Sequence, residues 1–290
     1  MLAVFGATGH IGHELVSILS ANGVPAVAVT RDPSRERPLS GIRWVKADLA
    51  VPASLPSILQ GVTKVFLLTA NAADMASLQR NAIRAAQAAG VEHTVKQSAL
   101  GASDHSTSPI GKAHYEVEAA LLGSGMAWTI LRPHVFMQNL LDQVPTITHE
   151  GRIYAASGEG KIPFIDTRDI AAVAAAALTQ PGHEGKKWVL TGPEALSYYD
   201  VARVLSDVVG RSVEYVDESP EEASTRLVRS GAPPWAVESM LALAAYQRAG
   251  GPTAVVRDTV ARILDRPARS FAAFVRDHAA AFQGREGPGR

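Results

Sequence analysis

An apolar run, Leu2-Ala3-Val4-Phe5, leads straight into Gly6-Ala7-Thr8-Gly9-His10-Ile11-Gly12, and a helical pattern begins at once with Ile11, Leu15, Ile18 and Leu19. Few folds accept a buried strand, three glycines at a spacing of three and an immediate helix. The first glycine permits the tight turn, the second lets backbone approach a pyrophosphate, and the third lets the helix pack close to the sheet. The helix N-terminus adds unpaired N–H groups and positive dipole. With 24 glycines in 290 residues, about 0.16 chance occurrences of this spacing are expected. The flanking strand and helix make the segment a dinucleotide-binding turn rather than an ordinary glycine-rich connection.

Downstream, short β-branched runs alternate with helical patterns, which predicts an α/β fold: a doubly wound parallel sheet of the Rossmann type. Strands are expected at 2–5, Ala26–Thr30, Ile42–Val45, Lys64–Thr69, Thr94–Ser98, Trp128–Leu131, Pro163–Ile165 and Trp188–Leu190. Helices are expected at Met75–Ala89, closed by Gly90, and at Ala113–Leu122, closed by Gly123. The alternation frays after Pro133. The expected organisation is a nucleotide-binding domain over 1–133, completed by strands near 162–191. A smaller, mostly helical substrate lobe covers 134–160 and 195–283, and 284–290 form a flexible tail.

Composition narrows the function. Lys+Arg and Asp+Glu both number 28, so no basic field exists to hold nucleic acid or an anionic membrane. Cysteine is absent, which removes disulfides and thiolate nucleophiles. No apolar run approaches the length of a membrane span, and a start directly on a core strand leaves no room for a leader, so a cytoplasmic protein is expected. The nine histidines show no metal-binding spacing: His10-x-x-His13 falls in the phosphate turn, and neither His149-Glu150 nor His183-Glu184 continues to HExxH. No metal site is expected.

The second strand ends in Thr30, followed by Arg31-Asp32-Pro33-Ser34-Arg35. A carboxylate ending this strand would accept from a ribose 2′-hydroxyl; a guanidinium instead pairs with a 2′-phosphate. The expected cofactor is therefore NADP(H), with NAD(H) bound more weakly, Arg31 as the main contact and Arg35 as an accessory. Asp32 is the rival carboxylate. In Lys46-Ala47-Asp48-Leu49, Asp48 can accept from the adenine amino group and Leu49 can cover the ring; alternatively Asp48 caps the segment after Pro52. Thr69-Ala70-Asn71 leaves the fourth strand at the carboxyl edge, where such sheets bind ligands; the same residues also make good turns.

These features, with the run His114–Asn139 (HYEVEAALLGSGMAWTILRPHVFMQN), Phe164–Ala171 (FIDTRDIA) and Leu190-Thr191-Gly192-Pro193, resemble the NmrA-like branch of the atypical short-chain dehydrogenases. The pattern is most similar to its quinone reductases and its triphenylmethane and azo dye reductases. The resemblance implies a Rossmann domain, a small C-terminal lobe and a planar or conjugated small-molecule acceptor in the cleft between them. It also implies cofactor contacts from Gly6, Thr8, Gly9, His10, Ile11, Gly12, Ser98 and Pro133. The branch includes redox sensors that bind dinucleotide without turnover and specialised biosynthetic enzymes, which are the alternative readings.

Ordinary short-chain dehydrogenases use Tyr-x-x-x-Lys to protonate a carbonyl oxygen. None of the six tyrosines has Lys four residues later: Tyr115 is followed by Ala119 and Tyr199 by Arg203. A simple ketone needs that acid because an alkoxide is strongly basic. A quinone or cationic dye does not, since hydride addition leaves a delocalised phenolate or a neutral product. Catalytic candidates are Ser98, ending the fifth strand, and His114 and Tyr115 on the next helix. By register to Gly125, His114 resembles a histidine of the quinone reductases. The competing reading makes Ser98 a turn cap, and Lys112–Glu116 and His114–Glu118 surface pairs on a helix face. His134, Phe136 and Asn139 are the substrate-lining candidates, with Phe136 offering a stacking surface. Met240–Tyr246, an apolar run in the helical lobe, offers a pocket wall, a docking face or plain core.

Overall fold

The computed structural model describes residues 1–284, so residues 285–290, most of the expected tail, lie outside the described residues. The chain forms two compact units. The first comprises Met1–Ser106, Ile110–Pro133 and Thr167–Val189; the second comprises Thr107–Pro109, His134–Asp166 and the described residues from Leu190.

The first unit is built on β1 (Leu2–Phe5), β2 (Ala26–Thr30), β3 (Ile42–Lys46), β4 (Lys64–Leu67), β5 (His93–Gln97) and β6 (Ala127–Pro133), with β8 (Lys186–Leu190) at one edge. They form a seven-stranded sheet in the order β3-β2-β1-β4-β5-β6-β8. Neighbours from β3 through β6 pair in parallel, with Leu2 opposite Ala26 and Lys64, and His93 opposite Lys64 and Ala127. Gly185 N–H bonds Trp128 O and His134 N–H bonds Leu190 O, so β8 runs alongside β6 in the same direction. Every residue of β1, β2 and β5 is buried, as a sheet covered on both faces requires.

One face carries α1 (His10–Ala21) packed with α6 (Thr167–Thr179), whose alanine-rich, almost fully buried surface permits close approach. In α1 the buried stripe is Ile11, Leu15, Val16 and Leu19; Ile18 is only half-buried, because Val16 takes the inner position. The other face carries α2 (Pro56–Leu59), α3 (Met75–Ala88) and α4 (Pro109–Leu122) over a core that includes Phe5, Val29, Leu67, Ile83, Val117 and Leu121. The fourth helix starts at Pro109 rather than Ala113, since proline suits a first helical turn.

The expected strand Pro163–Ile165 does not form. Ile165 and Ile162 make single-residue bridges to Phe136 and Leu196, and Phe164 N–H bonds Ile162 O two residues back. That tight turn, with no N–H on Pro163, leaves no ladder to extend. The second unit instead has a strand pair that the alternation did not suggest: β7 (Arg152–Ala155) parallel to β9 (Glu214–Asp217). Around it lie α5 (Val144–Glu150), α7 (Tyr198–Val209), α8 (Pro220–Arg229), α9 (Pro234–Ala249), α10 (Thr259–Leu264), α11 (Phe271–Asp277) and α12 (Ala279–Phe282). Capping boxes at Ser197/Asp200 and Ser219/Glu222 start α7 and α8. The core holds Ile147, Ile153, Phe164, Leu205, Phe271, Phe274 and Phe282. The run Met240–Tyr246 lies on α9 and leaves Met240, Leu243 and Tyr246 exposed. No described helix is long and apolar enough to cross a membrane.

Candidate active site

Each glycine of the first turn has a distinct job. Gly6 has φ of +77°, and a Cβ there would stand 2.6 Å from Leu68 O; both exclude a side chain. A Cβ on Gly12 would stand 2.1 Å from Gly6 O, so this glycine lets α1 seat against the turn. Gly9 differs. Its backbone is extended (φ −83°, ψ 172°), and a Cβ would meet only Gly6 O, at 3.6 Å. The space above it is open. Gly9 is also the N-cap, with no side-chain cap on the first-turn N–H groups, which are therefore available to an anion. A pyrophosphate fits this turn. Thr8, Gly9 and His10 are accessible around it, whereas Ile11 is 3% exposed and offers only its backbone.

Arg31 is exposed, with no hydrogen bond or ion pair among the described residues. Arg35 donates through Nη2 to Thr8 O at 3.0 Å, which brings its guanidinium to the glycine turn. Asp32 is exposed and its Oδ1 accepts from Ser34 N at 3.0 Å and Ser34 Oγ at 2.7 Å. The Ser34 hydroxyl and N–H hold its carboxyl below the usual range. Sequence reasoning passed over Arg37, whose Nη1 lies 3.1 Å from His13 Nε2 on α1; its only signal was a third arginine in the same loop.

Leu49, expected to cover the adenine ring, is 8% exposed and packs in the core cluster that includes Leu55 and Leu59. Asp48 neither caps the turn after Pro52, whose N-cap is Val51, nor is free of local bonds, since Oδ1 accepts from Ala50 N at 2.9 Å. Beyond β4, Thr69 Oγ1 accepts from the buried Gln79 at 2.8 Å, and Ala70 and Asn71 are exposed.

The largest departure from the sequence reading lies where α4 covers β5. Glu118 is 1% exposed, not a surface group. It takes a bidentate pair from Arg132 (Nε–Oε1 2.9 Å, Nη2–Oε2 2.6 Å), an ion pair with Lys187 at 3.2 Å and the Ser98 hydroxyl at 2.6 Å. Ser98 is fully enclosed and its proton is committed to this carboxylate, so the hydroxyl neither caps a turn nor reaches outward. On the exposed side, Glu116 pairs with Arg80 of α3 at 2.8 Å instead of with Lys112. His114 is 4% exposed and does not pair with Glu118. Its Nδ1 lies 3.2 Å from Nζ of Lys96, which also donates to Gln97 O at 2.9 Å. Burial, then the neighbouring Lys96 charge, keeps the imidazole well below its ordinary pKa; burial pushes Lys96 down to about 7. Lys96 escaped the sequence reading, though a lysine inside a strand expected to be covered on both faces is itself a signal. Tyr115, the next residue of α4, is 37% exposed.

His134, expected to line the substrate site, belongs to the second unit. It is 6% exposed, with Nδ1 accepting from Val135 N at 2.8 Å and Nε2 lying 2.9 Å from Thr253 O. Since a carbonyl only accepts, Nε2 carries the proton, and neither nitrogen remains for substrate. Phe136 is half-buried, Asn139 is exposed, and Pro133, which closes β6 in the first unit, is buried. Gln138, not anticipated, donates to Asp166 at 2.9 Å.

Burial pushes His134 down to about 4 from an ordinary 6.5. The unfolded chain therefore takes up the extra proton first as pH falls. The stability tied to this residue is complete above about 6.5 and is lost as pH falls to about 4, in total on the order of 3 kcal/mol. Urea titrations across this range should show a shallower acid limb for His134→Gln than for the wild type; parallel limbs would contradict the assignment.

Comparison with known proteins agrees with this architecture. The model of the NmrA-like family matches residues 1–253. An NAD(P)H azoreductase of Xenophilus azovorans is 42% identical over 287 residues, 97% of this chain and 99% of that protein. A (4-alkanoyl-5-oxo-2,5-dihydrofuran-3-yl)methyl phosphate reductase of Streptomyces griseus is 36% identical over 284 residues, 97% of this chain and 99% of the relative. Among solved structures, an NADPH-dependent quinone oxidoreductase of Escherichia coli in complex with NADPH superposes with a TM-score of 0.87 at 31% identity, covering 96% of this chain and 99% of that one.

Proposed function

The chain belongs to the NmrA-like family, and from that premise we propose that it is an NADPH-dependent reductase of quinone-like, azo or otherwise conjugated electrophiles. When bound, the cofactor supplies a hydride. The glycine turn and the open N-terminus of α1 hold its pyrophosphate, and Arg31 with Arg35 receives the 2′-phosphate. Two guanidinium groups outnumber the one carboxylate between them, Asp32, whose Oδ1 is already held by Ser34. The observation that carries the choice of acceptor is the missing phenol–lysine pair: the helix over β5 carries His114 and Glu118, and the latter is locked to Arg132. Conjugated acceptors need placement more than an acid. The Streptomyces griseus relative acts, by its name, on a ring whose double bond is conjugated with two carbonyls, which fits the same class.

Two results test this reading. Arg31→Ala should weaken NADPH binding about ten- to a hundredfold, the usual value of one charge-assisted contact, while NADH binding stays unchanged; equal loss for both would make Arg31 structural. In a panel followed at 340 nm, quinones and cationic dyes should oxidise NADPH fastest, enones slowly and simple ketones not at all. An unactivated ketone as best substrate would overturn the mechanism. Clear NADPH binding with no turnover of any acceptor would leave a dinucleotide sensor.

A further inference from the structure

The pairing of Lys96 with His114 has chemistry that the hydride step alone does not use. An ammonium group can only donate hydrogen bonds. Lys96 Nζ spends one on Gln97 O and one on His114 Nδ1. The imidazole must then accept at Nδ1, and its single proton sits on Nε2. Nε2 has no partner among the described residues, yet it is not one of the enclosed polar atoms left without one, so the small exposed part of His114 includes this edge. The residue lies beside the penultimate position of β5, at the carboxyl edge where doubly wound sheets bind ligands.

We propose that His114 is a neutral hydrogen-bond donor to the reduced acceptor, acting through Nε2–H, and that Lys96 is the positioning residue that fixes this tautomer. The inference rests on the reductase reading above. Two electrons leave the nicotinamide with the hydride and reduce the acceptor. The electron pair displaced onto the acceptor's far oxygen meets the Nε2–H dipole, and water supplies the proton that completes the product. His114 stabilises charge without giving up its own proton, as suits an imidazole that burial keeps neutral. The groups facing Lys96 are His114 and Glu118 from α4, with Arg132 of β6 and Lys187 of β8 engaged through Glu118. Above a pH of about 7 the amine loses its proton and can accept from Nδ1–H, so the tautomer is no longer fixed.

Nitrogen-15 NMR of the histidine rings reads the tautomer without turnover, with His114 assigned by its absence in His114→Leu. At pH 6 the wild type should show Nε2–H, and Lys96→Met should show a mixture; an Nδ1–H form in the wild type overturns the proposal. In quinone reduction, His114→Leu should lower kcat about tenfold or more at unchanged NADPH affinity. His114→Gln, whose amide places an N–H near the same position, should recover most of that loss. A general acid would not be replaced by an amide, so failure of Gln to rescue, or no effect of Leu, overturns the donor role. The wild-type kcat should decline as pH rises through about 7, and Lys96→Met should flatten that decline. If the wild type turns over no acceptor, the reductase reading fails, and the tautomer measurement alone judges the pair.

Discussion

Gly9→Val folds as the wild type does and loses NADPH binding by a hundredfold or more, about 2.7 kcal/mol at least. The geometry separates the two effects. A Cβ at Gly9 meets nothing nearer than Gly6 O at 3.6 Å, and the backbone there is extended, so valine enters without strain. Its methyl groups fill the space that a pyrophosphate needs. Gly12→Val is the control with the opposite outcome: its Cβ would lie 2.1 Å from Gly6 O, and the seat of α1 on the turn is lost together with the fold. Circular dichroism with a fluorescence titration of NADPH decides both. A folded Gly9→Val with wild-type affinity would mean that the cofactor does not cross this turn.

Glu118→Ala destabilises the protein by about 2–4 kcal/mol, because it strands Arg132, Lys187 and the Ser98 hydroxyl in one move. The lower part of that range applies because Arg132 and Lys187 keep part of their side chains in solvent, with relative exposures of 21% and 39%. Burial pushes the Glu118 carboxyl up, but the bonds from Arg132 and Ser98 outweigh it and hold it below the usual range. The stabilisation is therefore present above the ordinary glutamate value and is lost as pH falls through the depressed one. The urea midpoint at pH 7 should fall for Glu118→Ala, and the gap from the wild type should close at strongly acid pH. A midpoint unchanged at pH 7 would show that the cluster adds nothing to stability.

The glycine turn was legible because strand, turn and helix are contiguous, and every contact that shapes it lies within a few residues or on the adjoining strand. The sheet strands were legible for the same reason, being short buried runs bounded by turn residues. Pairings across elements were not. His114 and Glu118 sit four apart on a helix, a spacing that suits a solvent-facing pair equally well. Only the placement of α4 over β5 shows that both point inward, toward Lys96 and Ser98. His134 read as a site residue because it follows a strand, but its partner Thr253 is more than a hundred residues away. The strands β7 and β9 were missed because, unlike the equally short β1 and β4, they are half-exposed and carry charges (Arg152, Glu214, Asp217) instead of forming an apolar run, and each finds its partner only in the folded chain. The loop arginines fall between these cases: Arg31 and Arg35 were readable from position, whereas the bonds that tie Asp32 Oδ1 to Ser34 were not.

A reductase of this kind passes hydride directly from NADPH to a conjugated electrophile. A cationic triphenylmethane dye tests it best, because a hydride delivered to its central carbon stays there as a non-exchanging C–H bond. With NADPH deuterated at C4 on both faces, turnover should give a colourless product one mass unit heavier than that from unlabelled cofactor, with the label at that carbon. An unlabelled product, or cofactor binding with no loss of dye colour, would contradict it.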